Sequence, residues 1–506
     1  MRKQTKLVAV LSAAALLAIG ASMTSFAAKG WVEEGGQWYY YNNNGDYVSN
    51  EWKKSGNNWF WLGDDGAMVT DTLVEDGNYY YYVNANGAMV TNSWVAVEPG
   101  EDDTEDDAPD HYWYYFGANG KAYKAGDSGL SIKTINGKKY GFDQDSKMVY
   151  GFVQEDGTKN TDENPFVEAM YYFGDSDDGA QHTGWLQYMD GSDLTSDWSD
   201  KDYADMDEMW FYFKPSNGKM VKIAAGDNKL KTQTVNGNKY GFDGNGVMVY
   251  SWQNSDSTVS TPNKYFSDQT DGHMKKKTWV WAVPDAEQNQ KDNDDDTSRW
   301  FYVDANGETT KSQIKKINGK KYLFDDAGIM KSGLQWVEMS GSKVVSVSDD
   351  NTDTSDEIKE ASGTLYYFGD EEKDGSMKTG KNIKIELDDD TFTFGFKSNG
   401  QAYNFANDGL VDKKIYTNGI LEKAGTDDKY TKVGEYLVGT SGTIVGKGKY
   451  VKDGDDNWWS VNKETGEVVN HGSDDYAKDK ARCAAQNKGT VEKTDKDGEV
   501  TGYNCI

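Results

Sequence analysis

Proline is scarce in this 506-residue chain, at six, and so are histidine, at four, and cysteine, at two. Only 36% of residues are hydrophobic, and the mean hydropathy is -0.83. A large aliphatic core is therefore excluded, because too little Leu, Ile and Val is present to fill one. His111, His182, His273 and His471 stand far apart without a metal-ligand or triad spacing, which argues against histidine-based zinc or nucleophilic chemistry. Two cysteines cannot make a disulfide framework; Cys483 and Cys505, near the C-terminal end, could form one local bridge in an oxidising exterior. Positive charge is also short, with 54 basic against 84 acidic residues and a net charge of -30. Such a field repels phosphate backbones and anionic membranes, so nucleic acid is not an expected partner.

What the chain does have is aromatic rings: 17 Trp, 33 Tyr and 18 Phe. Before they begin, residues 1–27 read as an export signal. Arg2, Lys3 and Lys6 precede a short apolar run from Leu7 to Ile19, and Ser25-Phe26-Ala27 supplies small residues for cleavage. That run is too short to cross a bilayer, and no second one follows. The expected mature protein is secreted, with any hold on the cell non-covalent, since the stretch Gly502 to Ile506 lacks a sorting signal with a hydrophobic tail.

From residue 28 the rings recur in step. Trp38 to Gly45, Trp59 to Gly66 and Tyr80 to Gly87 share one pattern, and their closing glycines lie 21 positions apart. Each unit reads as an aromatic strand, an Asn/Asp-Gly turn and a returning strand, which is a β-hairpin. Copies resume at Trp113 to Gly120, Trp210 to Gly218, Trp300 to Gly307 and Phe394 to Gly400. A variant hairpin carries Asn136-Gly137, Asn236-Gly237 and Asn318-Gly319, followed by Tyr140, Tyr240 and Tyr322 and then by Met148, Met248 and Met330. Those methionines read as packing residues between aromatic layers.

A two-stranded hairpin alone is marginal in water, so stacking must supply the core. The expected fold is all-β: an elongated solenoid of stacked β-hairpin repeats, interrupted by irregular acidic insertions and closed by a small C-terminal module. Acidic stretches at 101–110, 285–296 and 346–360 are expected to loop outward. The domain reading is a signal peptide over 1–27, repeats over 28–406 and a divergent region over 407–506 with one surviving hairpin near Trp459 and a short helix within 474–486.

The run Gly30-Trp31, Trp38-Tyr39-Tyr40 and Asn44-Gly45, followed by Trp52, resembles the cell-wall-binding repeat of Gram-positive surface proteins and the related choline-binding and glucan-binding repeats. The resemblance covers roughly residues 30–405. It implies ligand cages between successive hairpins, built from the Gly-Trp tryptophan, the first ring of the following strand and a ring of the next unit. Carried onto this chain, that gives Trp31, Trp38 and Trp59 as one set and Trp52, Trp59 and Tyr80 as another. Trp94 with Trp113, Trp185 with Trp210, Trp252 with Tyr265, and Trp279 with Trp300 hold the same relative slots. Leu73 and Leu334 stand where the pattern wants tryptophan, so those junctions are expected to be structural only.

Rings of this kind suit a quaternary ammonium, whose diffuse positive charge meets the negative ring face, and they equally suit the C–H face of a sugar. Against this stands the reading that most of the rings are core. The acidic clusters lack calcium-loop spacing, and no GxSxG, Cys-His pair or phosphate loop occurs, so neither metal nor cofactor is expected. The expected function is a secreted, non-enzymatic surface protein. It would bind a cell-wall polymer: choline-substituted teichoic acid, or glucan and other polysaccharide. A wall-targeted enzyme or effector active in residues 407–506, or a protein-binding adhesin, is the alternative. Choline versus sugar and the oligomeric state stay open.

Overall fold

The computed structural model describes residues 29–100, 109–159, 164–190, 206, 208–370 and 374–506. The export signal read at 1–27 and most of the first acidic insertion lie outside the described residues. Strands dominate, each short and most paired with the next in sequence. Strands β1 (Gly30–Glu34) and β2 (Gln37–Tyr41) form the first hairpin; β3 (Glu51–Ser55) and β4 (Asn58–Leu62), β5 (Thr72–Asp76) and β6 (Tyr79–Val83), β7 (Ser93–Val97) and β8 (Tyr112–Phe116), and β9 (Ser131–Ile135) and β10 (Lys138–Phe142) follow.

The register repeats. The second residue of each outgoing strand faces the fourth of the returning one: Trp31 opposite Tyr40, Trp52 opposite Trp61, Leu73 opposite Tyr82, Trp94 opposite Tyr115. Because side chains alternate along a strand, positions two and four of a returning strand share a face and positions three and five share the other. One face meets the following hairpin and the other meets the preceding one. Every returning strand thereby belongs to two layers.

A backbone bond locks each layer. The segment after a turn donates to the second residue of the previous hairpin's returning strand: Met68 to Trp38 at 2.7 Å, and Met89 to Trp59, Ala122 to Tyr80 and Met148 to Trp113 at 2.8 Å each; Met248 donates likewise at 2.8 Å to Trp210, third in the longer strand Glu208–Phe213. Turns are closed by an Asp or Asn side-chain oxygen, as where Asp143 Oδ1 accepts the backbone N–H of Asp145 and Lys147. Burial pushes the Asp143 carboxyl up to about 6, although those hydrogen bonds act in the opposite direction.

By contacts the chain divides into two compact units, one of residues 1–251 and 266–273, the other of 252–265 and 274–506. In the first, fully buried Phe116, Phe142, Phe173 and Phe213 anchor successive layers, each worth on the order of 2 kcal/mol in transfer terms. The second unit departs from simple hairpins. Six strands pair in one sheet between Gln313 and Tyr367, and residues 416–421 complete a four-stranded sheet with Gly380–Leu387 and Asp390–Phe396, so pairing crosses position 407.

Two acidic insertions fold rather than loop outward. In the stretch 285–296, Asn289 caps a short helix, Gln290–Asp294, and Asp292 accepts two hydrogen bonds of 2.8 Å from Arg299. A buried carboxylate is tolerable there because a bidentate guanidinium neutralises it. In the stretch 346–360, a strand reaches Ser348 and the helix Ser355–Glu360 opens on a capping box at Thr354, with Ile358 fully buried beneath it. Val347 and Ile358 each pack into a hydrophobic cluster, and Asn418 donates to the Ile358 carbonyl at 2.8 Å, which together turn this acidic run inward.

Near the C-terminal end, the helix Ala477–Ala485 packs with the strand Trp458–Val461, and Cys483 is bonded to Cys505 on the last hairpin.

Candidate functional site

At three junctions the rings close on one another in the same way. Trp94, Trp185 and Trp279 each lie opposite a tyrosine of their own hairpin, Tyr115, Tyr212 and Tyr302, with ring centroids 5.2, 5.1 and 5.3 Å apart. Diagonally across sits a second tryptophan, Trp113, Trp210 or Trp300, at 6.3, 6.4 or 6.1 Å and nearly perpendicular. The following hairpin brings Tyr140, Tyr240 or Tyr322 edge-on to the first indole at 4.8 Å in all three cases. Behind the indole lies Phe142, Phe242 or Phe324, at 5.7, 5.9 and 5.8 Å and close to parallel. Met148, Met248 and Met330 are buried in the same clusters.

This geometry follows from the two faces of the strand. The own hairpin contributes positions two and four, a tryptophan and a tyrosine. The next one contributes positions three and five, a tyrosine and a phenylalanine. Each methionine then packs on a glycine that follows an aspartate: Asp178-Gly179, Asp271-Gly272 and Asp374-Gly375. A Cβ on those glycines would come within 2.6, 2.4 and 2.4 Å of the methionine Cε, so the methionine end would have to shift to admit one. Around Trp185 the arrangement encloses a cavity of about 200 Å³, lined by Trp185, Trp210, Tyr240, Met248, Thr270 and Asp271.

The cages therefore bring together Trp94 with Trp113, Trp185 with Trp210, and Trp279 with Trp300. They do not bring together the sets expected around Trp31 and Trp52. Trp31 meets Tyr40 and Phe60 at 5.5 and 5.4 Å, and Trp52 meets Trp61 and Tyr81 at 5.3 and 5.1 Å. Among the described residues no ring contact joins Trp31 to Trp38 or Trp59, nor Trp52 to Trp59 or Tyr80. The rings supplied by the next unit are Phe60 and Tyr81, one residue on from those expected. On a strand, one residue is the opposite face. Trp59 is 41% exposed, with Lys54 over its ring.

Trp252 and Tyr265 do meet. They lie 4.8 Å apart, but Trp252 is only 8% exposed, packs on Phe301 and donates its indole N–H to the Val283 carbonyl at 2.8 Å. The diagonal slot there holds Asn263, so the junction collapses into core. Leu73 and Leu334 also pack into hydrophobic clusters.

The residues that sequence reasoning passed over are Tyr140, Tyr240, Tyr322 and the three methionines, which read as packing alone. Their signal was present: the variant hairpin follows a Trp…Trp-x-Tyr pair in all three places. A larger cleft of about 530 Å³ lies over Trp336, edged by Glu338, Ser346, Ser348 and Thr364. Its two aromatic residues, Trp336 and Tyr366, are both buried, so it offers no cage of rings. No group of three or more metal-ligating side chains occurs among the described residues, and no described helix is long and apolar enough to cross a membrane.

Three ring-walled junctions thus recur on stacked hairpin repeats. Residues 50–94 match the choline-binding repeat family, and residues 29–47 and 315–330 match the family described as "Putative cell wall binding repeat". Over those segments the chain is similar to choline-binding and cell-wall-binding repeats. It is similar to glucosyltransferase-S of Streptococcus downei, at 25% identity over 261 residues, a match covering 51% of this chain and 14% of that protein's length. Among solved structures it is similar to CbpJ from Streptococcus pneumoniae TIGR4 (16% identity, 70% of this chain and 99% of that one, TM-score 0.37). Choline binding protein F from Streptococcus pneumoniae is another (18% identity, 75% of this chain and all of that one, TM-score 0.32).

Proposed function

We propose that this chain is a secreted, non-enzymatic protein that holds to choline-bearing teichoic acid of the cell wall through the cages at Trp94, Trp185 and Trp279. The observation that carries this reading is the threefold recurrence of one constellation: two tryptophans, a tyrosine and a buried methionine, with an aspartate beside them. Ring faces attract a weakly hydrated cation by about 0.5–2 kcal/mol each. A cavity of about 200 Å³ falls below the ~300–1,000 Å³ of drug-sized sites, which favours a trimethylammonium headgroup over an oligosaccharide. Single cages of this kind bind weakly, and several on one chain facing a polymer raise retention through effective concentration.

An enzyme of the serine-histidine kind in residues 407–506 would need a reachable nucleophile. Ser460 Oγ lies 2.8 Å from His471 Nε2, but Ser460 is 1% exposed, and burial lowers the affinity of His471 for a proton. That pair reads as a satisfied core contact.

The test is elution. Mature protein bound to choline-bearing cell walls should be released by excess free choline and not by glucan oligosaccharides. Release by glucan alone, or retention in saturating choline, would overturn the reading.

A further inference from the structure

The cleft over Trp336 lies where the second unit departs from simple hairpins, and its walls are polar. The strand Leu334–Ser340 pairs with Lys343–Ser348 from Trp336 opposite Ser348 to Ser340 opposite Lys343, but with Leu365–Tyr367 only over Leu334, Gln335 and Trp336. Beyond Trp336 the two-stranded ribbon therefore overhangs its third strand. Side chains alternate along a strand and directly opposed residues share a face, so Glu338, Ser346 and Ser348 continue the face on which Trp336 stands.

Two further segments complete the walls. Val337 donates its N–H to the Thr364 carbonyl at 3.0 Å, which seats residues 362–364 alongside the overhang, and Ala402 donates to the Leu365 carbonyl at 2.8 Å, which brings Gln401 to the rim. Gly363 sets no side chain against the indole. A Cβ there would come within 3.2 Å of Trp336 Cε3, on a backbone of φ 136° that side chains rarely adopt. Trp336 itself is buried, and its indole N–H has no hydrogen-bond partner among the described residues, a state in which buried donors are rarely left.

What the walls leave unused defines the ligand. Ser346 donates to Glu338 Oε2 at 3.2 Å, so Oε1 stays open as an acceptor. Ser348 accepts from the Asp350 backbone at 3.0 Å and keeps its own proton to give. Gln401 accepts from Asn399 at 2.9 Å through its carbonyl oxygen, leaving the Nε2 hydrogens. The hydroxyls of Ser362 and Thr364 make no hydrogen bond among the described residues and can both give and accept.

A vicinal diol matches this set, because each of its hydroxyls gives one hydrogen bond and takes others. Glu338 is the one charged residue lining the cleft, and no lysine or arginine joins it among the described residues, so an anion is repelled. A quaternary ammonium finds no open ring face, since Trp336 and Tyr366 are buried. The volume of about 530 Å³ is that of a site for one small ligand.

We propose that this cleft binds a neutral mono- or disaccharide, as a site separate from the cages and independent of what the cages hold. Glu338 takes a sugar hydroxyl through Oε1, and Ser348, Ser362 and Gln401 hold its neighbours.

The test is saturation-transfer NMR on the full chain with maltose, cellobiose and N,N′-diacetylchitobiose as probes, each titrated with and without saturating choline. At least one should bind with a Kd on the order of 1 mM, unchanged by choline. Glu338→Ala should weaken that binding about tenfold or more and Ser362→Ala roughly three- to tenfold. Both residues are exposed, so the fold and choline binding should be unaltered. No transfer to any of the three sugars at about 10 mM, binding displaced by choline, or binding that survives both substitutions would overturn the proposal. Each of those results leaves the choline reading standing, since its own failure is read separately by elution from cell walls.

Discussion

The junctions at Trp52 and Trp185 begin from the same register and end differently. Both tryptophans face a ring across the hairpin, Trp61 in one case and Tyr212 in the other, and both receive a tyrosine from the next unit, Tyr81 and Tyr240. At Trp52 the next strand ends in Val83, and the indole N–H is turned to Asp76 at 3.2 Å. At Trp185 it ends in Phe242, which lies behind the indole at 5.9 Å while Trp210 closes from the diagonal. The lesson is that a tryptophan in the Gly-Trp slot does not make a site. The following hairpin does, by backing the indole with an aromatic; a methionine on a bare glycine is common to both junctions, since Met89 packs beside Trp52 and against Gly120.

The largest effect expected from breaking this contrast is on binding. Replacing Tyr140, Tyr240 and Tyr322 together by Ala should lower choline affinity at every cage by at least about tenfold, read by calorimetry, since each loses a cation–π wall. Tyr81→Ala at the non-cage junction should leave choline binding unchanged. Next is stability at a closed junction: Trp252→Ala should cost about 3–5 kcal/mol in denaturant unfolding without changing choline stoichiometry, because that indole is core. If Trp252→Ala removed a choline site instead, the distinction between closed and open junctions would fail.

Removing the bridge by Cys483→Ser with Cys505→Ser should loosen the last hairpin and its helix by about 3 kcal/mol, as expected for a 22-residue separation, and leave the cages untouched. A change in choline affinity in that variant would link regions that the account keeps apart. Phe242→Leu, which gives the Trp185 cage an aliphatic backing like that at Trp52, should cost about 1 kcal/mol of stability and weaken choline binding several-fold at that cage only.

The smallest effect concerns the turn that holds Tyr140. The folded Asp143 carboxyl sits above its ordinary value, at about 6, so the folded state holds a proton that the unfolded chain has released. That contribution is stabilising at low pH and is lost as pH rises from about 4 to about 6. Asp143→Asn keeps the turn's acceptor without the charge. It should raise the thermal midpoint relative to the unmodified protein above about pH 6, with the advantage vanishing near pH 4. An equal advantage at both pH values would contradict the burial argument.

The 21-residue period was legible because hairpins stack by repetition, and a ring needed in one layer is needed in the next. The open pairs Trp94–Trp113, Trp185–Trp210 and Trp279–Trp300 were legible for the same reason. The third wall was not. Trp59 and Tyr80 are larger or more prominent in their motifs than Phe60 and Tyr81, but position parity decides which layer a strand residue enters, and parity depends on a register that the turn sets. Nor was the closure of Trp252 visible, since it depends on Asn263 in the diagonal slot and on Val283 offering a carbonyl. The buried Ile358 shows the same limit in the insertions: charge density marks a segment as solvated until its apolar side chains find a cluster.

The central claim is that three repeated ring constellations, and not every tryptophan junction, hold a small organic cation. Equilibrium dialysis of the full chain against labelled choline tests it most directly. Three saturable sites per chain are predicted, with the tyrosine triple variant retaining none near the same concentrations. Binding in proportion to the whole set of Gly-Trp junctions, or stoichiometry undiminished in that variant, would contradict it.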